Sequence, residues 1–436
     1  MEKLGARLVS RRKFLYGSAL AAGAAALPAH AAPRTVGSDC RPLPPSIAAL
    51  RSMKAQAKPI TNEERQARLA RARELMAANQ IDAIMLTAGT SLDYFTGIRW
   101  WGGERLFALI LPVKGSAFFV CPYFETDRSH EQIAKSPLAD AQVRYWNEDE
   151  SPYDLVAQGL KDKGLATGSL GMDESTPYLF SHGVGLAAAQ ARVTSATAVT
   201  AGCRMMKSAH EVELMRLAAK ATLTAYAAAY HALREGMTQH DFADLVTAAH
   251  RQLGFEGEAE IQVGEYSALP HGSIAPQVIR EGTILLMDGG CKVEGYVSDI
   301  SRTFVLGQAG DKMRRVFDIV HRAQATAVKT ARPGLPAQEV DAAARKVITD
   351  AGYGPGYKYF THRLGHGMGM DGHEWPYLVR GDTLPLRPDM TFSDEPGVYI
   401  RGEFGVRLED DMHITENGAE LFTPQSPSLE QPFSNI

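Results

Sequence analysis

Cysteine is scarce in this chain. Cys40, Cys121, Cys203 and Cys291 are the four cysteines in 436 residues. No CxxC pair or zinc-knuckle spacing links them, which argues against a thiolate zinc site and against a small fold stapled by disulfides. Cys291, three residues after Asp288, reads as small core filler. A charge excess is also missing: the formal net charge is −4, with 22% charged and 45% hydrophobic residues. That is the balance of an ordinary globular chain, and it offers no basic stripe for nucleic acid. The apolar run Tyr16–Leu27 is short and rich in Ala and Gly, too weak to span a membrane. No GxSxG or SxxK nucleophile stands in a setting that would serve one. The helical HExxH zinc motif is absent too, because His373-Glu374 runs on into Trp375-Pro376-Tyr377 without a second histidine at the required spacing.

The N-terminus has the composition of an address. Ser10-Arg11-Arg12-Lys13-Phe14-Leu15 precedes the apolar run and Ala29-His30-Ala31 follows it. This pattern is expected to be a twin-arginine export signal over residues 1–31, cut after Ala31, with a periplasmic destination. The segment carries five basic residues against Glu2, a net of +4, so the remainder of the chain carries −8. The acidic balance favours solubility. An oxidising compartment permits a disulfide, but the spacing of the cysteines selects no pair.

The informative residues stand late in the chain: Asp288, Asp299, His366, Glu395 and Glu409. Each lies in a short punctuated phrase, respectively MDGG, YVSDISRT, HRLGHGMGMDGHEWP, DEPGVY and GVRLED. Taken singly, each has a plain reading as a surface charge or a structural histidine. Their settings argue otherwise. Asp288 follows the apolar run Thr283–Met287, expected as a buried strand that ends at Gly289-Gly290. Asp299 lies in the strand-like stretch Tyr296–Phe304. Gly365 and Gly367 flank His366 and permit close backbone approach. Pro396-Gly397 after Glu395 is expected to form a turn that aims the side chain and stops a helix. Gathered carboxylates repel one another and resist desolvation, so a fold that assembles them has a cation to hold. Oxygen ligands with one imidazole suit Mn²⁺, Zn²⁺, Co²⁺ or Fe²⁺. Five ligands exceed the needs of one open tetrahedral zinc and suffice for two metals if carboxylates bridge.

The rest of the chain divides by composition. Residues 32–60 contain five prolines and read as a linker or arm with a short helix near Ile47–Ala55. A helix capped by Thr61 or Asn62 is expected to run to about Asn79. Strands follow at Asp82–Thr87, Leu106–Pro112 and Ser116–Val120, with β-α alternation to about Val199. Beyond it, helices are expected from about Lys207 to Arg234, at Thr238–Leu253, Lys312–Ala331 and Ala337–Ala351, with strands carrying the acidic phrases.

The order, spacing and flanks of the five phrases resemble the pita-bread metallopeptidases, the family of prolidase, aminopeptidase P and methionine aminopeptidase. The gaps between the five residues are 11, 67, 29 and 14 positions. The resemblance runs from about Arg204 to the C-terminus, and the N-terminal half is similar to the creatinase/prolidase N-terminal domain. It implies an α+β protein in which the export signal at 1–31 and the arm at 32–60 precede an α/β N-terminal domain at 61–203 and a pita-bread catalytic domain at 204–436. It implies two divalent metal ions, manganese foremost, with Asp299 and Glu409 bridging, Asp288 on one metal, and His366 and Glu395 on the other. Glu395 is then the proton acceptor. His271 and His373 hydrogen-bond the reacting groups, and His362 shapes the leaving-group pocket. Arg407 either holds a substrate carboxylate or neutralises the carboxylate cluster. The implied substrate is a small peptide cut before proline, with a dipeptide favoured over the longer peptides of aminopeptidase P. The implied assembly is a homodimer without a membrane anchor. Two other classes stand beside this one: a same-fold lyase resembling dimethylsulfoniopropionate lyase, and a non-catalytic module, which the five retained ligands disfavour. The sequence departs from the family pattern at Arg387-Pro388-Asp389-Met390 and at Asp394, whose side chain strand alternation sends away from that of Glu395.

Overall fold

A reciprocal capping box opens the first long helix, Asn62–Ala78. Thr61 Oγ1 accepts from the Glu64 amide and Glu64 Oε2 accepts from the Thr61 amide, so two otherwise orphaned donors are satisfied. The chain is described here by a computed structural model covering residues 42–436. The expected export signal and Cys40 lie outside the described residues. Cys121, Cys203 and Cys291 are buried free thiols.

The N-terminal half is built on a six-stranded mixed sheet. Its strands are β1 (Ala83–Thr87), β2 (Ala108–Pro112), β3 (Phe118–Pro122), β4 (Gln142–Trp146), β5 (Ser169–Met172) and β6 (Arg192–Ser195), in the order β4-β3-β2-β1-β5-β6. β1, β2 and β3 are buried at every position. Their continuous apolar runs are those of strands covered on both faces. Residues 44–60 form an arm laid against later helices. Ser46 Oγ donates to the Ala228 carbonyl and the Met53 amide donates to the Leu253 carbonyl, both at 2.8 Å.

The C-terminal half repeats one scheme twice. Helices Ala209–Ala232 and Gln239–Leu253 pack over a sheet of β7 (Glu256–Val263), β8 (Ile284–Val293), β9 (Tyr296–Val297) and β10 (Ile300–Val305). Helices Asp311–Thr330 and Ala337–Asp350 pack over a second sheet, in the order β12-β11-β13-β16-β17. Its strands are β11 (Gly365–Gly367), β12 (Glu374–Leu378), β13 (Thr391–Asp394), β16 (Asp410–Thr415) and β17 (Gly418–Leu421), with the hairpin β14 (Gly397–Ile400) and β15 (Phe404–Arg407) beside them. This is the expected α+β architecture, a creatinase-type N-terminal domain followed by a pita-bread domain.

Three local expectations change. β8 does not end at Gly289-Gly290 but runs through them to Val293. The glycines are there for contact: a Cβ on Gly290 would come within 1.8 Å of the Ser298 carbonyl oxygen. Asp299 sits in the break between β9 and β10. Glu395 follows a strand, β13, and not a helix.

Candidate metal centre

Strand geometry turns the acidic residues toward one another. Ser301 of β10 pairs directly with Asp288 of β8, and directly opposed residues share a face. Asp299 stands two positions before Ser301, and Glu409 two positions after Arg407, so alternation keeps each pair on one side. The second sheet supplies His366 from β11 and Glu395 from the end of β13. A Cβ on Gly365 would come within 2.0 Å of the Ser393 carbonyl oxygen. The glycine beside His366 therefore lets β11 approach β13. The resulting cavity, about 400 Å³, is lined by all nine residues singled out in the sequence: His271, Asp288, Asp299, His362, His366, His373, Glu395, Arg407 and Glu409.

Ligand atoms in this cavity form three overlapping groups, each within 4.8 Å: Asp288 with Asp299 and Glu409, His366 with Glu395 and Glu409, and Asp299 with His366 and His373. The first two contain all five expected ligands. The third adds His373, whose ring stacks on His366 at 3.8 Å between centroids.

The electrostatics are those of a site that needs cations. Burial raises the Asp299 and Glu409 carboxyls well above the usual range, and neighbouring carboxylates raise them further. Burial takes Glu395 up to about 7, with Arg407 countering and Asp288 adding to the rise. Burial also lowers His366 to about 3, which leaves its imidazole neutral. Its Nδ1 lies 3.1 Å from the Gly367 carbonyl and so donates, leaving the Nε2 lone pair facing Glu395 Oε1 at 3.3 Å. That is the tautomer a metal ligand requires. Ser301 Oγ lies 2.7 Å from both Asp288 Oδ1 and Glu409 Oε2. One hydroxyl proton cannot serve both oxygens. The donor set therefore fits divalent cations held by Asp288, Asp299, His366, Glu395 and Glu409.

Arg407 is fixed in place. Nε donates to Ser301 Oγ at 2.9 Å, Nη1 to the Pro270 carbonyl at 3.0 Å and to Tyr399 Oη at 3.2 Å, and Nη2 to Asp288 Oδ2 at 2.5 Å. Of the two readings of this residue, the geometry favours charge neutralisation. Burial opposes ionisation of Asp288, but Arg407 and Ser301 hold its carboxyl below the usual range. His362 is tied in as well: Nδ1 donates to the Arg363 carbonyl at 2.8 Å and Nε2 accepts from Tyr399 Oη at 2.7 Å. His271 and His373 remain exposed on the cavity wall. Asp394 does not line the cavity. It is buried in register with Asp410, and burial raises its carboxyl well above the usual range.

The supporting residues were not evident in the sequence. The Arg302 guanidinium, almost fully buried, donates to the Glu409 carbonyl at 2.8 Å and to Asp410 Oδ1 at 2.7 Å. Asp411 Oδ1 accepts from the Asp299 amide at 3.1 Å. Behind His373, Glu374 is buried against Arg204 at 2.5 Å and Lys207 at 3.4 Å, and Asp371 bonds both Arg204 and Thr90. Ser301 and Tyr399 lay within the phrases already read. Their only local signal was placement beside a ligand.

Comparison with known proteins agrees with this geometry. Residues 213–416 match the metallopeptidase family M24 and residues 68–206 match the creatinase/prolidase N-terminal domain. The chain is 31% identical to the Xaa-Pro dipeptidase of Lactobacillus delbrueckii subsp. lactis, over 81% of this chain and 95% of that one. It is 36% identical to the probable dipeptidase PepE of Mycobacterium bovis, over 81% and 92%. Among solved structures, dipeptidase PepE from Mycobacterium ulcerans superposes with a TM-score of 0.80 at 34% identity, covering 86% of this chain and 99% of that one. A prolidase from Thermococcus sibiricus superposes with a TM-score of 0.76 at 28% identity, covering 84% and 98%. With its fold, its five-residue ligand set and relatives matched over nearly their full length, the chain belongs to the metallopeptidase family M24.

Proposed function

We propose that the protein is a dimetal Xaa-Pro dipeptidase. The observation that carries this reading is the small cavity in which four carboxylates and one neutral imidazole converge, in a chain whose relatives include Xaa-Pro dipeptidases. When bound, a pair of divalent cations supplies Lewis acidity and lowers the pKa of a shared water. Manganese is the metal we assign, in keeping with a donor set of hard oxygens and one imidazole.

The chain's own residues supply the rest. Glu395, whose carboxylate lines the cavity beside the other ligands, is the residue assigned to accept the proton of the attacking water. His271 and His373 stand on the cavity wall where a peptide carbonyl and its leaving nitrogen gain charge, and they donate hydrogen bonds there. Arg407 keeps Asp288 ionised. Proline's tertiary amide has no N–H to offer, so the pocket has no donor to satisfy at that nitrogen.

A second reading, as an enzyme for longer Xaa-Pro peptides, draws on the X-Pro aminopeptidase from Thermotoga maritima, which superposes with a TM-score of 0.67 at 26% identity. Turnover of a Xaa-Pro dipeptide beside the matching Xaa-Pro-Xaa tripeptide, after loading with Mn²⁺, separates the two. Faster cleavage of the tripeptide overturns the dipeptidase reading. Turnover of neither peptide, together with proton abstraction from a sulfonium substrate, moves the protein to the lyases.

Periplasmic delivery through Arg11-Arg12 is part of the proposal, as is a homodimer. Replacing both arginines by lysine is expected to retain the precursor in the cytoplasm, and accumulation of that variant in the periplasm overturns the route. Light scattering on the purified protein checks the subunit number.

A further inference from the structure

Among the described residues lining the metal cavity, the two permanently charged cations are Arg407 and Arg363. A guanidinium has five N–H donors. Arg407 spends four of them on Ser301, Pro270, Tyr399 and Asp288. Arg363 is the opposite case. Among the described residues its side chain makes one hydrogen bond, a long one from Nη2 to His373 Nδ1 at 3.4 Å, and no ion pair with a carboxylate. The guanidinium is nonetheless held. Its Cζ sits over the Tyr377 ring, 4.2 Å from the centroid, a cation–π contact that uses none of the guanidinium N–H donors in a hydrogen bond. A half-buried guanidinium with most of its donors unmet is ready for an anion.

Its distance from the chemistry sets which anion. His366 is one of the expected metal ligands, the His373 ring stacks on it with centroids 3.8 Å apart, and Arg363 Nη2 lies 3.4 Å from His373 Nδ1, all three lining the same cavity. One residue of extended chain spans about 3.5 Å. A dipeptide therefore carries its carboxylate about one residue past the carbonyl that is cut, while each added residue moves the carboxylate about 3.5 Å further. The charge balance agrees. The lining carries four carboxylates and two guanidiniums; two divalent cations turn its net charge from negative to positive, which favours an anionic end on the substrate.

We propose that Arg363 is the carboxylate-binding residue of this cavity, holding the C-terminal carboxylate of a dipeptide substrate. The inference rests on the peptidase reading and deepens it. The sequence had offered Arg407 for this task; the structure commits Arg407 elsewhere. A carboxylate fits two parallel N–H groups of a guanidinium, a geometry neither an amide nor a lysine ammonium reproduces.

The test compares Ala-Pro with Ala-prolinamide on the manganese-loaded full chain. Arg363→Gln is expected to raise KM for Ala-Pro by roughly 10- to 100-fold while leaving KM for the amide within about 2-fold, with Arg363→Lys falling between. Equal losses on both substrates, at unchanged metal content, overturn the assignment. Titration calorimetry of the wild type and of Arg363→Gln with L-proline and with prolinamide gives a second measurement that needs no turnover. A preference for the free acid that is lost in Arg363→Gln supports the inference, and an equal preference in both proteins overturns it. Absence of turnover in the wild type would count against the peptidase reading, while this calorimetric comparison would still decide the role of Arg363.

Discussion

Arg407 Nη2 lies 2.5 Å from Asp288 Oδ2, with the arginine side chain 5% and the aspartate side chain 30% accessible to solvent. The pair holds one of the expected metal ligands in its ionised form from within the protein. Arg407→Ala removes this support together with the bonds to Ser301 and Tyr399. Breaking a buried pair by deleting one partner costs about 3 kcal/mol or more, so chemical unfolding of the metal-free variant is expected to show a loss of that order. The ratio of KM values for the free-acid and amidated dipeptides is expected to stay unchanged, because Arg407 does not face the carboxylate. A change in that ratio equal to the one assigned to Arg363 would contradict this placement.

Metal stoichiometry distinguishes the ligands. Asp299, Glu409 and His366 each belong to two of the three candidate groups, whereas Asp288 belongs to one; of the three, only the two carboxylates have a second oxygen with which to bridge. Asp299→Ala or Glu409→Ala is therefore expected to lower bound metal from about two ions per chain to below one, with loss of activity. Asp288→Ala is expected to retain about one ion. Elemental analysis of the dialysed proteins reads this directly, and two ions retained by Glu409→Ala would exclude it as a bridge.

His373 is held from behind by the junction between the two halves. Arg204 and Lys207 clamp Glu374, and the Met370 and Asp371 amides both donate to Glu374 Oε1 at 3.0 Å. His373→Ala is expected to lower kcat by roughly 10²–10³-fold with metal retained. Arg204→Met is expected to lower kcat through loss of that geometry, and the double variant to be no slower than His373→Ala alone. Additive losses in the double-mutant cycle would show that Arg204 acts elsewhere.

Acid stability has a named contributor remote from the metal ligands in sequence. His250 is fully buried, with Nδ1 3.0 Å from the Val246 carbonyl. Burial lowers its pKa to about 4, from 6.5 for the free side chain. Between those values the unfolded chain binds more protons, so stability falls as the pH falls. The contribution is complete above pH 6.5 and is lost progressively toward about pH 4, at about 3 kcal/mol over the window. His250→Gln is expected to flatten this part of the stability profile measured by urea unfolding. An unchanged slope would assign acid sensitivity to other groups.

The helices were legible because their signals are local. Caps and breakers sit within four residues of the ends they define. Thr61 with Glu64 and Ser208 with Glu211 form capping boxes, and Gly254, at φ +92°, ends the helix Gln239–Leu253. The double glycine after Asp288 misled for the same local reason. Gly289-Gly290 reads as a turn, but the strand continues because the Ser298 carbonyl needs the space beside Gly290. Glu395 before Pro396-Gly397 likewise reads as a helix end, and pairing of β13 with β16 makes it a strand end.

By itself, the sequence determined which side chains meet in the candidate metal cavity. Ligand chemistry resides in residue type, and each ligand sits in a phrase whose glycines, proline or strand alternation orient it locally. What it did not determine is which arginine is free. Arg407 stands two residues from a ligand and invites a substrate role, yet its partners Ser301, Asp288 and Pro270 lie 106, 119 and 137 positions away in the chain. Arg363 carries no local signal beyond its charge. Only the folding of two sheets against each other saturates one guanidinium and leaves the other exposed to the cavity, because a hydrogen-bond donor is spent or spared by neighbours that sequence distance does not reveal.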